Sequence, residues 1–344
     1  MKASVIHEFG DTEVLKYEDV PTPGVRPGHV LVKILASGVN RLDHYIREGS
    51  VAPELSFPHI LGIDASGEIE ALGEGVSSFS IGDRVITVPG FPVEKNEYSV
   101  RPAATAPSFT LQGLGTPGTY AQYLETPQEW IIRDDTSLTP EETATLPVVL
   151  ASGVRAVKKV GGVKAGDKVL IHSGASGSGS MQIQVAKALG AQVATTVRSD
   201  EKGELAKRVG ADLVINTSRE DFVEKVLEWT EGRGADVVID TLGGDVLPKS
   251  IDAAKQLGVI VVFGFVAGIE SKLDIRNFFF TQKQLKGTLS GDKEDLEWGL
   301  ERVKEGKIKA VVGKTLPLKD ASLAHKLIAD NKVGGNVVLL PWAD

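Results

Sequence analysis

The order of apolar segments in the second half of this chain constrains its fold more than any other feature. After "TPEETATLP", short β runs typical of buried strands alternate with segments of helical period. The β runs are "KVLIHS", "QVATTV", "DLVIN", "DVVIDT" and "VIVVFGF", and the helical segments between them are "SMQIQVAKALG", "DEKGELAKRVG", "REDFVEKVLEWTEG" and "VLPKSIDAAKQLG". Alternation at this spacing predicts a parallel sheet covered on both faces, which is a doubly wound α/β fold.

The first part of the chain has a different pattern. Residues 1–125 contain short strands broken by Gly and Pro, such as "HVLVKILASGV" and "GDRVITVPGF". The chain closes with the helical segment "DLEWGLERVKEG" and with "NVVLLP", which we expect to be a strand that returns to the first domain. We therefore predict a β-rich domain from residues 1–125 and 292–344, and an α/β domain from residues 126–291.

Composition excludes several classes of protein. The net charge of −8 and the pI near 5.4 differ from the basic surface of nucleic-acid-binding proteins, so we expect no nucleic-acid partner. The apolar runs are shorter than the roughly 20 residues of a membrane span. The first residues lack the apolar core of a signal peptide, so we expect a cytoplasmic protein with no membrane partner. The absence of cysteine excludes disulfides and thiolate metal sites.

A glycine-rich turn, "HSGASGSGSMQIQVAKALG", follows the first strand of the α/β half. Gly174 and Gly179 match the first and last glycines of the G-x-G-x-x-G fingerprint, whereas Ser176 stands at the middle position. Gly177 adds flexibility, and a helix that opens near Ser178 would point unpaired N–H groups at an anion such as a pyrophosphate. The turn by itself is also compatible with simple packing, but the strand and helix alternation after it favours a dinucleotide site.

The end of the second strand, "AQVATTVRSDEK", indicates which dinucleotide the chain binds. A site for NAD needs a carboxylate about 20 residues past the glycine turn, and Arg198 stands there instead. Its guanidinium would bind a 2′-phosphate, with Ser199 and Lys202 as further donors, so the sequence predicts NADP(H). The alternative is that Arg198 and Lys202 are ordinary surface charges, as the neighbouring Asp200 and Glu201 would allow.

These motifs together resemble those of the medium-chain dehydrogenase/reductase superfamily, which includes zinc alcohol dehydrogenases and zinc-free quinone reductases. The resemblance runs from "MKASVIHEFG" to "GGNVVLLP" and includes "ASGVNRLDHYIREG", "FPHILGIDASGEIEALGEGVSSFSIGDRV", "GTYAQYLETP" and "GRGADVVIDTLGG". It implies a GroES-like, β-rich catalytic domain with an inserted Rossmann domain, and an active site in the cleft.

The same resemblance implies that this chain lacks the catalytic metal site. At the places of the zinc ligands it has Asn40, then Ile63 with Asp64, and about Ala151. An amide, an isoleucine and an alanine are not zinc ligands. We therefore expect no metal, as in the quinone-reductase branch of the superfamily.

The resemblance also implies which residues carry the chemistry. Asn40, Asp43 and Tyr45 match an N-x-x-D-x-Y pattern that lines the nicotinamide and substrate cleft in zinc-free quinone reductases. Asn40 would donate to a carbonyl oxygen, and Tyr45 would donate a proton or cap the pocket. For Asp43 the alternative to a role in the cleft is structural, because an Asp beside a helix start often caps the helix. Asp64, at the place of the zinc-ligand Glu, would likewise have a structural role.

Further residues lie where the strands of the α/β half end. Phe265 and Val266 follow the fifth strand, at the edge where such sheets bind ligands, and we expect them to flank the nicotinamide. His172 would either contact the cofactor or lie at the strand end with its ring nitrogens hydrogen-bonded within the fold. The aromatic triplet in "RNFFFTQKQLKG" is expected to lie in the core and at a subunit interface.

These inferences predict a zinc-independent, NADP(H)-dependent oxidoreductase that transfers hydride to a small-molecule acceptor, either a quinone or a conjugated enone or enal. The alternatives are a metal-free carbonyl reductase or alcohol dehydrogenase-like protein, and a non-catalytic NADPH-binding protein. In this superfamily the last Rossmann strand, here Gln284 to Ser290, commonly pairs with its two-fold mate. The resemblance therefore implies a homodimer or homotetramer.

Overall fold

The computed structural model describes residues 1–343. The strands, in chain order, are β1 (Lys2–Ile6), β2 (Lys16–Asp19), β3 (His29–Val39), β4 (His59–Ile60), β5 (Asp64–Leu72), β6 (Arg84–Thr87), β7 (Gly90–Pro92), β8 (Phe109–Leu111), β9 (Tyr123–Pro127), β10 (Ile131–Arg133), β11 (Lys168–Ile171), β12 (Gln192–Val197), β13 (Leu213–Asn216), β14 (Ala235–Asp240), β15 (Ala254–Val262), β16 (Gln284–Gly287), β17 (Val312–Pro317) and β18 (Asn336–Leu340). The helices are α1 (Arg41–Arg47), α2 (Pro140–Ala144), α3 (Pro147–Val154), α4 (Gly177–Ala188), α5 (Asp200–Arg208), α6 (Phe222–Trp229), α7 (Val246–Ala253), α8 (Ile275–Phe280), α9 (Lys293–Lys304) and α10 (Ala321–Ala329).

The chain divides into two compact units. Unit 1 comprises Met1–Val148, Asp292–Leu300 and the segment that begins at Ala310, and unit 2 comprises Val149–Gly291 and Glu301–Lys309. No helix within residues 1–343 combines the length and the apolar character that crossing a membrane requires.

Unit 2 is built on a parallel sheet with the strand order β13-β12-β11-β14-β15-β16. Numbered from the first strand of the unit, this is the 3-2-1-4-5-6 order of a doubly wound dinucleotide-binding fold. The central strands are buried over nearly their whole length because helices cover both faces. The predicted doubly wound α/β fold is confirmed.

One helix of unit 2 is shorter than its sequence pattern predicts. The segment "VLPKSIDAAKQLG" was expected to be helical throughout, but α7 ends at Ala253 and Ala254 already belongs to β15. Ala254 pairs with Ala235 of β14, and Leu257 adopts the left-handed conformation with φ of 62°. Pairing with a neighbouring strand thus overrides the local helical preference, which is only a weak determinant of conformation.

Unit 1 is β-rich, as predicted. Its main sheet has the order β10-β6-β5-β3-β18-β17, and β9 also pairs with β3. The predicted return of the chain end is confirmed, because β18 pairs antiparallel with β3. A smaller sheet has the order β2-β1-β4. Both faces of β3 are largely buried, and Val30, Val32 and Ile34 pack into apolar clusters of this unit.

The boundary between the units differs from the one expected at residue 125. Ile131 of β10 pairs with Thr87 of β6, so the segment after residue 125 completes the sheet of unit 1. The segment Glu301–Lys309, which was expected in the β-rich domain, belongs to unit 2. The side chain of Gln184 in α4 bonds both the N–H and the carbonyl of Lys309, at 2.8 and 3.0 Å, and holds this segment within unit 2. Backbone pairing, which composition does not reveal, accounts for both differences.

Candidate functional site

The glycine-rich turn joins β11 to α4 in the way a nucleotide-binding turn requires. A Cβ added to Gly179 would lie 2.2 Å from the carbonyl oxygen of Ser173, and one added to Gly174 would lie 2.2 Å from Oγ1 of Thr195. Ser176 is the N-cap of α4, and its hydroxyl accepts the N–H of Gly179 at 3.0 Å. The turn therefore packs tightly against strand and helix, while helix geometry leaves first-turn N–H groups for an anion.

Ser176, which replaces the middle glycine of the fingerprint, is exposed at the turn. Gly177 and Ser178 form the first turn of α4, and the Ser178 hydroxyl accepts a bond of 2.6 Å from Nε2 of the buried Gln182. The structure thus gathers the predicted turn residues at one helix N-terminus. This arrangement fits the pyrophosphate of a dinucleotide.

The loops after β14 and β15 meet at the same edge of the sheet, where open α/β sheets bind their ligands. Asp240, at the end of β14, accepts the N–H groups of Leu242 and Gly243 at 2.8 and 2.9 Å. Gly243 forms an isolated bridge to Gly268, which closes the second loop against the first. Phe265 and Val266 lie on this second loop and are exposed. Their contact with a nicotinamide stays a prediction.

His172 has a structural role inside the fold. Its Nδ1 and Nε2 lie 3.0 and 2.9 Å from the hydroxyl oxygens of Thr196 and Ser250, and the Ser250 hydroxyl donates to Asp240 at 2.6 Å. The ring is buried and packs edge-on against Phe222, and burial lowers its pKa. Both ring nitrogens are therefore used inside the fold.

Arg198 is exposed immediately after β12. Ser199 is the N-cap of α5, where its oxygen accepts the N–H of Lys202 at 3.3 Å. The nearby acid, Asp200, is paired with Arg219 through two bonds of 2.7 Å each. This salt bridge offsets the negative charge of the carboxylate nearest to Arg198 in the sequence.

The three residues of the N-x-x-D-x-Y pattern lie at the start of α1 in unit 1. Asp43 is buried, and its Oδ2 accepts the backbone N–H of Asn40 at 2.8 Å, so it caps the helix start. Tyr45 is half-buried one turn along, and its ring lies 5.8 Å from that of His44. A role for Asn40, Asp43 or Tyr45 in catalysis stays a prediction.

The side chain of Asn40 contacts a second carboxyl group. Its Nδ2 donates to Oδ2 of Asp64 at 2.9 Å, and Oδ1 of Asp64 accepts the N–H of Val148 at 2.9 Å. Asp64 is buried, and burial raises its pKa to about 8, while burial raises the pKa of Asp43 to about 7. Two carboxyl groups with raised pKa values therefore hold Asn40, one at its backbone and one at its side chain.

A buried polar cluster extends from Asp43 into the interior of unit 1. The Tyr120 hydroxyl donates to Oδ2 of Asp43 at 3.0 Å and lies 3.2 Å from Nε2 of His325. Burial and the nearby positive charge of Arg47 lower the pKa of His325 to about 3. Arg47 is itself fully buried, and its Nη2 lies 2.8 Å from Nδ1 of His44.

Sequence reasoning did not identify this buried cluster. Tyr120 stands within "GTYAQYLETP", and His325 stands near the end of the chain, outside every motif named above. The available signal was that His325 stands on the apolar face of the amphipathic helix α10, where an unpaired imidazole would be unfavourable. Its partner is 205 residues away in the chain, so no local motif could identify it.

An open cavity of about 540 Å³ lies in unit 1 between the segments around residues 51–59 and 110–117. Its walls combine apolar residues, such as Val51 and Leu55, with polar ones, such as Glu54 and Thr110. His59 lines it too, held by a bond of 2.9 Å to the carbonyl of Gly113. The residues of the N-x-x-D-x-Y pattern do not line this cavity.

Among residues 1–343, no three His, Asp or Glu side chains come together in a group that could hold a metal ion. At the places where the sequence comparison expected zinc ligands, Asn40 and Asp64 bond to each other, and Ile63 and Ala151 carry no donor atoms. These residues do not fit zinc.

Two family models match the chain. Residues 26–136 match the alcohol dehydrogenase GroES-like domain, and residues 177–305 match the zinc-binding dehydrogenase family. A 2-haloacrylate reductase of a Burkholderia species is 32% identical, with 99% of each chain covered. A quinone oxidoreductase of Pseudomonas aeruginosa is 28% identical, with 97% of each chain covered.

Solved structures with the same fold include enzymes with different cofactors. An NAD-dependent alcohol dehydrogenase superposes with a TM-score of 0.92 at 34% identity, over 99% of both chains. A mycobacterial protein complexed with NADPH superposes with a TM-score of 0.84 at 29% identity, over 99% of this chain and 100% of that one. Both nucleotides thus occur among proteins similar to this chain.

Proposed function

This chain belongs to the medium-chain dehydrogenase/reductase superfamily of oxidoreductases, and from this premise we propose that it is a zinc-independent, NADP(H)-dependent reductase of quinones or of conjugated enones and enals. When bound, the nicotinamide supplies hydride. The observation that carries the proposal is the bond between the Asn40 amide and the Asp64 carboxyl, at the places where zinc members hold their metal. This pair offers hydrogen bonding where those members offer a Lewis acid.

The glycine turn and the charged end of β12 support the choice of cofactor. Gly174 and Gly179 fit the pyrophosphate turn, and Arg198 with Lys202 would bind a 2′-phosphate. The pairing of Asp200 with Arg219 engages the nearest carboxylate, which would otherwise favour a free ribose hydroxyl. NADP(H) is therefore the cofactor we propose.

The chemistry of the acceptor follows from the donors in unit 1. The Asn40 amide, with one N–H still to give, would stabilise the oxygen on which negative charge develops, and Tyr45 would supply a proton or close the pocket. An unconjugated carbonyl needs stronger polarisation than an amide provides, whereas a quinone or enone delocalises the charge itself.

A second candidate is a metal-free carbonyl reductase or alcohol dehydrogenase-like activity. The similarity to the NAD-dependent alcohol dehydrogenase favours it. A non-catalytic NADPH-binding protein is the third possibility. The identity of the product separates the first two, since alkene reduction leaves a carbonyl in place and carbonyl reduction leaves an alcohol.

The deciding experiment is turnover of NADPH by the purified chain with a panel of p-benzoquinone, 2-cyclohexenone, an enal and a saturated ketone, followed by product analysis. We expect oxidation of NADPH with the conjugated acceptors and the quinone, no stoichiometric zinc by elemental analysis, and no effect of chelators. Turnover only with the saturated ketone would favour the second candidate. Binding of NADPH without turnover on any acceptor would refute the proposed reductase.

A further inference from the structure

Asn40 is held by two carboxyl groups that belong to different parts of unit 1. Asp43 of α1 accepts its backbone N–H, and Asp64 at the start of β5 accepts its side-chain Nδ2–H. The first bond fixes the helix start. The second bond fixes the amide, which could otherwise turn over and exchange its oxygen and nitrogen.

Asp64 is itself firmly placed. Its Oδ1 accepts the N–H of Val148 at the first turn of α3, and its backbone carbonyl accepts the hydroxyls of Ser37 and Thr119 at 3.1 and 3.0 Å. Gly38 lies opposite it in the sheet, and a Cβ there would come within 3.1 Å of the Cβ of Asp64. The backbone of Asp64 is therefore fixed, and its carboxyl group cannot change direction without breaking the bonds to Val148 and Asn40.

We propose that Asp64 is a positioning residue for the reductase reaction, which acts by setting which end of the Asn40 amide faces the acceptor. This inference rests on the proposed function, in which Asn40 binds the acceptor oxygen. A bond from one Nδ2–H to Asp64 leaves the other Nδ2–H free to donate. Without Asp64 the amide would sample both orientations, and the wrong one would present its oxygen to the oxygen of the acceptor.

The protonation of Asp64 provides a readout that a purely structural role would not move. Above its pKa the ionised carboxylate accepts the Nδ2–H, as in the structure, whereas below it the protonated carboxyl can donate to Oδ1 and favour the reversed orientation of the amide. Burial raises the pKa of Asp64 to about 8, and the ionisable groups that act on it are Asp43 and Tyr120. We therefore expect acceptor kcat/KM of the wild-type chain to rise with pH through an ionisation near pH 8, and this rise should be absent from Asp64→Asn.

A double-mutant cycle on the full chain tests the proposal. With p-benzoquinone, we expect Asp64→Asn to lower acceptor kcat/KM about tenfold and to change the KM for NADPH less than about twofold. In the Asn40→Ala background the same substitution should lower acceptor kcat/KM less than about twofold. The reason is that the effects of two substitutions are not additive when one residue acts through the other. An equal loss in both backgrounds would overturn the proposal in favour of a structural role.

Two further variants control for the loss of any buried carboxyl group and for failure of the first variant to fold. Asp134 is another buried carboxyl of unit 1, with bonds from Thr136 and Thr143, and Asp134→Asn should leave the cycle unaffected. If Asp64→Asn does not fold, Asp64→Glu takes its place, because it keeps the carboxyl but moves it by one methylene. With Asp64→Glu too, a loss of kcat/KM only when Asn40 is present supports the proposal, and an equal loss in both backgrounds overturns it.

The side-chain amide signals of Asn40 give a readout that does not depend on activity. With ¹⁵N-labelled asparagine, these signals are assigned by their loss in Asn40→Ala. We expect Asp64→Asn to shift them and Asp134→Asn to leave them in place, and unchanged signals in Asp64→Asn would overturn the proposal. If the wild-type chain reduces no acceptor, the proposed function fails, and this measurement still decides whether Asp64 orients the amide.

Discussion

The hydroxyl of Tyr120 lies 3.2 Å from Nε2 of His325, and their rings pack edge to face with centroids 5.8 Å apart. The same hydroxyl donates to Asp43. Three segments that are far apart in the chain thus share one buried polar cluster. Because these groups are removed from water, their pKa values depart from the ordinary values and make the stability of unit 1 depend on pH.

We expect His325 to make the chain less stable as the pH falls below 6.5. Burial lowers its pKa to about 3, so between these values the unfolded chain binds a proton that the folded chain does not. The loss is about 2 kcal/mol between pH 7 and pH 5. Urea unfolding of wild type and His325→Gln at the two pH values measures it. The exposed His7 provides the control His7→Gln, and an equal pH dependence in wild type and His325→Gln would contradict this prediction.

Asp43 should act in the opposite direction. Burial raises its pKa to about 7, so its stabilising contribution is complete below the ordinary Asp value and is lost as the pH rises through 7. Between pH 5 and pH 8 we expect the unfolding free energy of wild type to fall by about 2 kcal/mol more than that of Asp43→Asn. The exposed Asp19 gives the matched variant Asp19→Asn. Parallel curves for wild type and Asp43→Asn would show that the Asp43 carboxyl is not perturbed.

The glycine turn should not tolerate a side chain at residue 179. A Cβ on Gly179 would lie 2.2 Å from the carbonyl oxygen of Ser173, which is backbone and has to move. We expect Gly179→Ala to lower the unfolding free energy by roughly 1–3 kcal/mol and to weaken NADPH binding. Gly24, in the loop between β2 and β3, is exposed and has no atom within 4 Å of a Cβ placed on it, so Gly24→Ala is the control. Thermal melts with and without NADPH check both effects. If Gly179→Ala melts at the temperature of wild type and is stabilised by NADPH to the same extent, both expectations are wrong.

Arg198 should discriminate between the two nicotinamide cofactors. If its guanidinium binds the 2′-phosphate, Arg198→Asp replaces a charge-assisted contact with repulsion and weakens NADPH by about 2 kcal/mol or more, which is about 30-fold. NADH affinity should change little. Titration calorimetry with both nucleotides measures this, and Arg208→Asp, at the exposed end of α5, is the control. Equal weakening of both nucleotides would assign Arg198 a structural role.

The edge of the sheet in unit 2 should pair with a second copy of the chain. β16 pairs with β15 on one side, and Phe279, Phe280, Leu285 and Leu289 near it are exposed. An open sheet edge flanked by apolar side chains is unfavourable in water, and a two-fold mate would cover both features. We expect a homodimer or homotetramer in sedimentation at micromolar concentration.

Substitutions at this apolar edge test the assembly. Phe280→Glu should produce monomers, because Phe280 is 68% exposed in the isolated chain. Ile81 of unit 1 is 70% exposed, and Ile81→Glu should leave the assembly intact. A monomeric wild-type chain, or dimers that survive Phe280→Glu, would contradict the prediction. Of the aromatic triplet expected in the core and at a subunit interface, Phe278 packs against the core, whereas Phe279 and Phe280 are exposed and their place at an interface stays a prediction.

The periodic parts of the fold could be predicted from sequence because their determinants are local. The alternation of "DLVIN" and "DVVIDT" with amphipathic segments was enough for a doubly wound sheet, and "NVVLLP" was recognisable as the returning strand β18. The glycine turn and Arg198 were also visible, since a cofactor fingerprint is a contiguous stretch. The end of α7 was not, because Ala254 leaves the helix only to pair with β14.

By itself the sequence determined the fold class, the superfamily and the residue types at the expected zinc-ligand places, since each of these depends on short-range pattern or on residue identity. Only the tertiary structure decided that the Asn40 amide bonds to Asp64, and that Tyr120 joins Asp43 to His325. Hydrogen bonds and pKa values depend on distance and on exclusion of water. Residues 24 to 205 positions apart acquire both only when the sheets and helices of unit 1 pack together.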